Sequence, residues 1–125
     1  MNAVAELGRY RAVVLTTFRR DGTAVATPVW PVAVGERLYV VTGSTAGKLK
    51  RIRHTPRVSV APSTQRGKVL GGTVEGRARI LDQEEGAPFA RARLRRYRIM
   101  ARSFRLMDRL RGEHEVVIEI GPPTE

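Results

Sequence analysis

The sequence predicts a mainly β fold with short helices, its strands antiparallel and closed into a six-stranded barrel. Three observations predict it. Six extended runs, rich in Val, Ile and Thr, are punctuated by turn signals. No helix of adequate length separates the first three runs, which argues against parallel α/β crossovers. A sheet of this kind removes its exposed edges by closing on itself. The chain of 125 residues carries no linker, repeat or low-complexity tract, so residues 1–125 read as a single domain.

Residues 1–9 read as a short helix or turn leading in. Arg11–Thr17 is the first strand, centred on Val13, Val14 and Leu15. Arg20-Asp21-Gly22 is a turn before the second run, Ala24–Val32. Pro28 and Pro31 lie inside that run and lack backbone donors, so it belongs at an edge, a bulge or a bend. Val34-Gly35-Glu36-Arg37 turns into the third strand, Leu38–Thr42. Gly43-Ser44-Thr45 then ends that strand and supplies a cap for a helix over Ala46–Arg53, with Leu49 and Ile52 on one face. Pro56 stops the helix. Arg57–Ala61 and Val69–Leu81 are the fourth and fifth extended regions. In the latter, Val74, Gly76, Ala78 and Ile80 share the packed parity, and Glu75, Arg77 and Arg79 the wet one. From Asp82 an amphipathic helical stretch follows, with Ala90, Leu94, Tyr97, Ala101, Phe104 and Met107 in three/four spacing and a break expected near Ile99–Ser103. Gly112 stops it, and Glu115–Ile120 is the last strand.

Composition narrows the chemistry. There is no cysteine, which excludes disulfides, thiolate catalysis and Cys-ligated metal centres. No apolar stretch approaches the ~18 residues of a membrane span, and Met1–Leu7 does not read as a signal peptide, so a cytoplasmic protein with no membrane partner is expected. The formal charge is +11, carried by 20 arginines and 3 lysines. Such a balance favours anionic partners. Two basic clusters stand out. Lys48, Lys50, Arg51, Arg53 and Arg57 surround the short helix, with no acid over residues 48–57. Helix-start N–H groups, the hydroxyls of Thr42, Ser44 and Thr45, and the Lys48 ammonium form a candidate clamp for one anion. The second cluster, Arg91–Arg111, holds nine arginines and one acid, Asp108; these can equally lay their stems over apolar neighbours.

Catalytic side chains are not evident. His54 and His114 are far apart and show no metal-ligand spacing, and no serine has an identifiable activating base. Asp21, Asp82, Glu84 and Glu85 read as turn and helix-start residues. If the protein is an enzyme, a bound cofactor brings the reactive group. Trp30, the single tryptophan, lies in Thr27-Pro28-Val29-Trp30 and serves either a core or interface, or a flat wall for a planar ring.

The chain resembles the split β-barrel flavin and deazaflavin oxidoreductases related to pyridoxamine 5′-phosphate oxidase, in particular their small F420-dependent members. The segments that carry the resemblance are Leu15–Gly22, Ala26–Trp30, Leu38–Thr42, Gly47–Arg53, Pro56-Arg57-Val58 and Val74–Ala78, in that order, over about Arg9 to Ile120. The resemblance implies an FMN-binding-protein-like split barrel and a homodimer. It implies Thr27, Pro28, Val29 and Trp30 beside the cofactor ring, and Thr42, Gly43, Ser44, Lys48, Lys50 and Arg51 around its phosphate, with Lys48 the principal anchor. Tyr97-Arg98-Ile99-Met100 departs from the Lys-Tyr-Gly pattern expected there, which leaves the substrate side undefined. The implied activity is hydride transfer between reduced coenzyme F420 and a small unsaturated organic substrate. FMN is the alternative cofactor. A flavin, F420 or heme carrier without turnover is the alternative function, with His54 and His114 as the only histidines for heme. A nucleic-acid-binding barrel is the remote alternative, because aromatics are 6% and no aromatic–basic strand pattern is present.

Overall fold

The computed structural model describes residues 2–123. Asn2 caps a short helix, α1 (Ala3–Glu6), by accepting a hydrogen bond from the Ala5 N–H, and a 3-10 turn, Leu7–Arg9, follows. The strands are β1 (Ala12–Phe18), β2 (Ala24–Val29), β3 (Val32–Val34), β4 (Arg37–Gly43), β5 (Arg57–Ser63), β6 (Val74–Ile80) and β7 (Glu115–Gly121). Helix α2 (Gly47–His54) joins β4 to β5, and α3 (Gln83–Leu110) joins β6 to β7. All strands form one antiparallel sheet in the order β2-β1-β5-β6-β7-β4-β3.

The sheet therefore has seven strands rather than six, and it is not a closed barrel. The expected run Ala24–Val32 is broken at Trp30-Pro31 into β2 and β3. Pro31 has no N–H for a ladder and its ring fixes its own φ, so regular pairing is interrupted there. The two pieces lie at opposite edges of the sheet order. Consecutive segments at opposite edges require the sheet to roll up on itself. No ladder joins β2 to β3 among the described residues, so the ring closes through the covalent link alone. Pro28 is tolerated because β2 is an edge strand, paired only to β1 with Pro28 opposite Val14.

Alternation fills the interior. Val13, Leu15 and Thr17 are the inward parity of β1; Val58 and Val60, Ala78, and Ile118 and Ile120 come from β5, β6 and β7. Leu49 and Ile52 from α2 enter the same core, as their spacing predicts. Thr17, 1% exposed, is the polar exception: its hydroxyl accepts a hydrogen bond from Arg51 Nε at 2.6 Å.

Helix α3 runs outside this core. Its start packs on β7, and Phe89 stacks on Tyr39 with ring centroids 3.7 Å apart. Gly86 makes the approach possible, since a Cβ there would lie 2.9 Å from Val117 Cγ2. At Tyr97 and Arg98 the backbone leaves helical geometry, just ahead of the expected break. The adjoining side chains explain where. Arg96 donates to the carbonyls of Gly8 (2.5 Å), Pro31 (3.0 Å) and Tyr10 (3.0 Å), and the Tyr97 hydroxyl donates to Pro31 at 2.5 Å. The kink is thus pinned to the link between β2 and β3. Gly112, at φ 75°, ends the outer half, as expected.

Candidate functional site

The split in the sheet creates the site. β3 is three residues long and pairs only from Val32↔Tyr39 to Val34↔Arg37. The far half of β4, Val40–Gly43, runs beyond it with β7 as its ladder partner. A gap remains between that half and the end of β2. A cavity of about 500 Å³ fills it. Pro28, Val29 and Trp30 form one wall and Val41, Thr42 and Gly43 the other; Lys48 enters from α2. The outer half of α3 and the turn after it add Phe104, Asp108 and Glu113. Phe104 packs on Trp30 with centroids 4.9 Å apart.

Of the ten residues that the sequence reading places at a cofactor, Pro28, Val29, Trp30, Thr42, Gly43 and Lys48 line this cavity. Thr27, Ser44, Lys50 and Arg51 do not. Thr27 pairs opposite Leu15 in the β1–β2 ladder. Ser44 accepts the His114 N–H at 3.2 Å. Lys50 is exposed, and Arg51 is turned toward β1 by its bond to Thr17. The expected cap also differs. Ala46, not Ser44 or Thr45, is the N-cap of α2, and no side chain caps it. Thr45 instead gives both its backbone N–H (3.2 Å) and its hydroxyl to the Glu113 carboxylate. The reason is the turn after α3, which delivers Glu113 against β4: a Cβ on Gly43 would lie 2.8 Å from Glu113 Oε1.

Burial sets the electrostatics. Lys48 is half-buried, and its ammonium is pushed below the ordinary lysine range by desolvation first and by Arg51 second. Asp108 is raised by burial and then by Glu113, with Arg93 and Arg111 pulling it back. Glu113 is lowered by its hydrogen bonds from Thr45. Arg93, 6% exposed, is held by the Ala101 carbonyl (3.2 Å) and by Glu115 (3.4 Å), and burial lowers its pKa. The cavity thus carries three cations, Lys48, Arg93 and Arg111, against two carboxylates. A cleft with an apolar wall at Pro28, Val29 and Trp30 and an excess of cations over carboxylates suits a planar ring carrying an anionic tail. Sequence reasoning missed Arg93, Phe104, Asp108, Arg111 and Glu113. One signal was available: Asp108 is the single acid among nine arginines.

The described residues hold no cluster of His, Cys, Asp and Glu arranged for a metal ion, and no helix long and apolar enough to cross a membrane.

The family model described as pyridoxamine 5′-phosphate oxidase matches residues 2–121. Similar solved structures include an F420 reductase, 19% identical, with a TM-score of 0.61 over 98% of this chain and 94% of that one. The heme storage protein HutZ from Vibrio cholerae is 16% identical, with a TM-score of 0.68 over 94% of this chain and 85% of that one. An FAD-binding protein from Mesorhizobium loti is 20% identical, with a TM-score of 0.63 over 93% and 82%. These likenesses establish the fold. No curated protein matches the chain.

Proposed function

The chain belongs to the pyridoxamine 5′-phosphate oxidase family, and from that premise we propose that it is an F420-dependent oxidoreductase working as a homodimer. The observation that carries the reading is the cleft at the split of the sheet, lined by Trp30 and Val29 and by the partly desolvated Lys48 ammonium. The residues present fit the cofactor: an apolar wall for the ring, and Lys48 with the Thr42 hydroxyl for a phosphate. Lys50 and Arg51 add long-range attraction from outside the cleft. When bound, the deazaflavin supplies a hydride to an electron-poor double bond of a small organic substrate.

The protein's own share is binding, orientation and exclusion of water. Trp30 and Phe104 narrow the slot and keep the reacting face apolar. Lys48 holds the anionic end, so the ring is fixed at a set depth. Asp108, whose pKa is raised by burial and by Glu113, is the carboxyl group in the cleft positioned to exchange a proton with the substrate. The strong net positive charge of the chain, +11, favours a cofactor with a phosphodiester and a polyglutamate tail over FMN with its single phosphate.

Titration of the protein with F420 and with FMN, followed by Trp30 quenching, tests the reading. Tight F420 binding, with oxidation of the reduced cofactor by one of a panel of enones, quinones or nitro compounds, is expected. FMN binding without F420 binding overturns the cofactor assignment, and binding without turnover on the panel makes the protein a carrier. Sedimentation at micromolar concentration is expected to show about twice the chain mass.

A further inference from the structure

We propose that the outer half of α3, Arg98–Leu110, docks the protein onto an anionic lipid surface. Ile99, Leu106 and Leu110 are 81%, 58% and 79% exposed, the largest exposures among the apolar side chains of this helix. At 100° per residue the three fall within about 40° of one another, a ridge ~16 Å long. Arg102, Arg105 and Arg109 form a parallel row along one flank of it, roughly 40–120° around the helix, and Arg98 stands exposed at the kink that precedes them. Among these, only Arg105 has an ion pair among the described residues, with Glu115 at 3.6 Å. The one acid of the segment, Asp108, faces the other way, into the cleft.

A ridge of aliphatic side chains beside a row of guanidiniums, of which only Arg105 is ion-paired among the described residues, is the pattern of a helix lying in a membrane interface. The guanidiniums reach lipid phosphates in bidentate fashion while the ridge enters the acyl boundary. Charge decides between occupants. A second copy packed antiparallel across a two-fold axis would bring two arginine rows side by side without acids to offset them. A nucleic acid would satisfy the arginines but leave the aliphatic ridge in water, and the ridge offers no aromatic ring for bases. An anionic bilayer satisfies both rows at once. Phe104 and Asp108, on the opposite side of the same half-helix, line the cleft. Docking therefore places the cleft within about one helix diameter, ~10–12 Å, of lipid.

The test is co-sedimentation of the full chain with vesicles of phosphatidylcholine alone and of phosphatidylcholine mixed with phosphatidylglycerol, near neutral pH. Binding only to the mixed vesicles is expected. Ile99→Ser/Leu106→Ser/Leu110→Ser is expected to weaken it by at least about tenfold, and Arg98→Gln/Arg102→Gln/Arg109→Gln by a similar factor. All six side chains are exposed, so circular dichroism and sedimented mass are expected to match the parent. Absence of phosphatidylglycerol-dependent binding overturns the proposal. So does parent-like binding by either triple variant, or a fall in mass of the serine variant, which assigns the ridge to a second copy. Binding of duplex RNA that survives the serine substitutions, without vesicle binding, assigns the arginine row to nucleic acid.

Discussion

Glu113 takes both polar hydrogens that Thr45 offers, the backbone N–H and the hydroxyl. An internal carboxylate thus holds donors that a phosphate at the β4–α2 junction would use. Glu113→Gln is expected to strengthen binding of an anionic cofactor by roughly fivefold, since a neutral amide competes less well for charge-assisted bonds. Isothermal titration with F420 and FMN measures it. The sign of the pH effect follows from the lowered Glu113 pKa: the contact persists at neutral pH and is lost only as pH falls through that depressed value.

Lys48→Ala is expected to weaken cofactor affinity about tenfold to a hundredfold, and Lys50→Ala far less, because Lys48 lines the cleft and Lys50 does not. Burial lowers the Lys48 pKa, so its charge is lost at a pH below the ordinary ~10.4. Affinity should fall correspondingly early on the alkaline side. Lys48→Arg, which stays charged, should flatten that limb of the binding profile.

Glu115→Ala removes the carboxylate beside a 6% exposed guanidinium, Arg93, and loosens Arg105 as well. Leaving a buried charge without its partner costs about 3–5 kcal/mol, so the melting temperature should drop by roughly 10–20 °C in calorimetry. Glu115→Gln, which keeps a hydrogen-bond acceptor, should lose less.

Gly86→Ala pits two effects against each other. Alanine favours a helix interior by up to ~1 kcal/mol. The new Cβ, however, would lie 2.9 and 3.0 Å from Val117 Cγ2 and Cβ, and Val117 is buried. Overpacking costs about 1–3 kcal/mol, so net destabilisation is expected in urea unfolding.

The strands were legible because β-branched runs and turn residues are local signals: Val13–Leu15, Val58–Val60 and Val74–Ile80 all lie in strands, and the last of these keeps the expected parity. The division at Trp30-Pro31 was half legible. Two prolines argued for an edge or a bend, but only the tertiary arrangement sends the two pieces to opposite edges. The cleft was legible where it is built from contiguous segments, at Pro28–Trp30, Thr42-Gly43 and Lys48. Arg93 and Asp108 reach it from a helix about fifty or more residues later in the chain, and Glu113 from the turn after that helix; no local pattern reports where a kinked helix folds back. The cap of α2 was misread for a related reason. Ser44 and Thr45 have the right chemistry, but a distant turn claims them first.

The two-residue join between β2 and β3 also limits how far the cleft can gape. From Val29 to Val32 the chain spans at most ~11 Å even when stretched straight. That wall is a tether of fixed reach, tied down further by Arg96 and Tyr97 gripping the Pro31 carbonyl. Room for ligands of different bulk is therefore left to the third side of the cleft, where the half-helix beyond the break at Tyr97 lays Phe104 against Trp30.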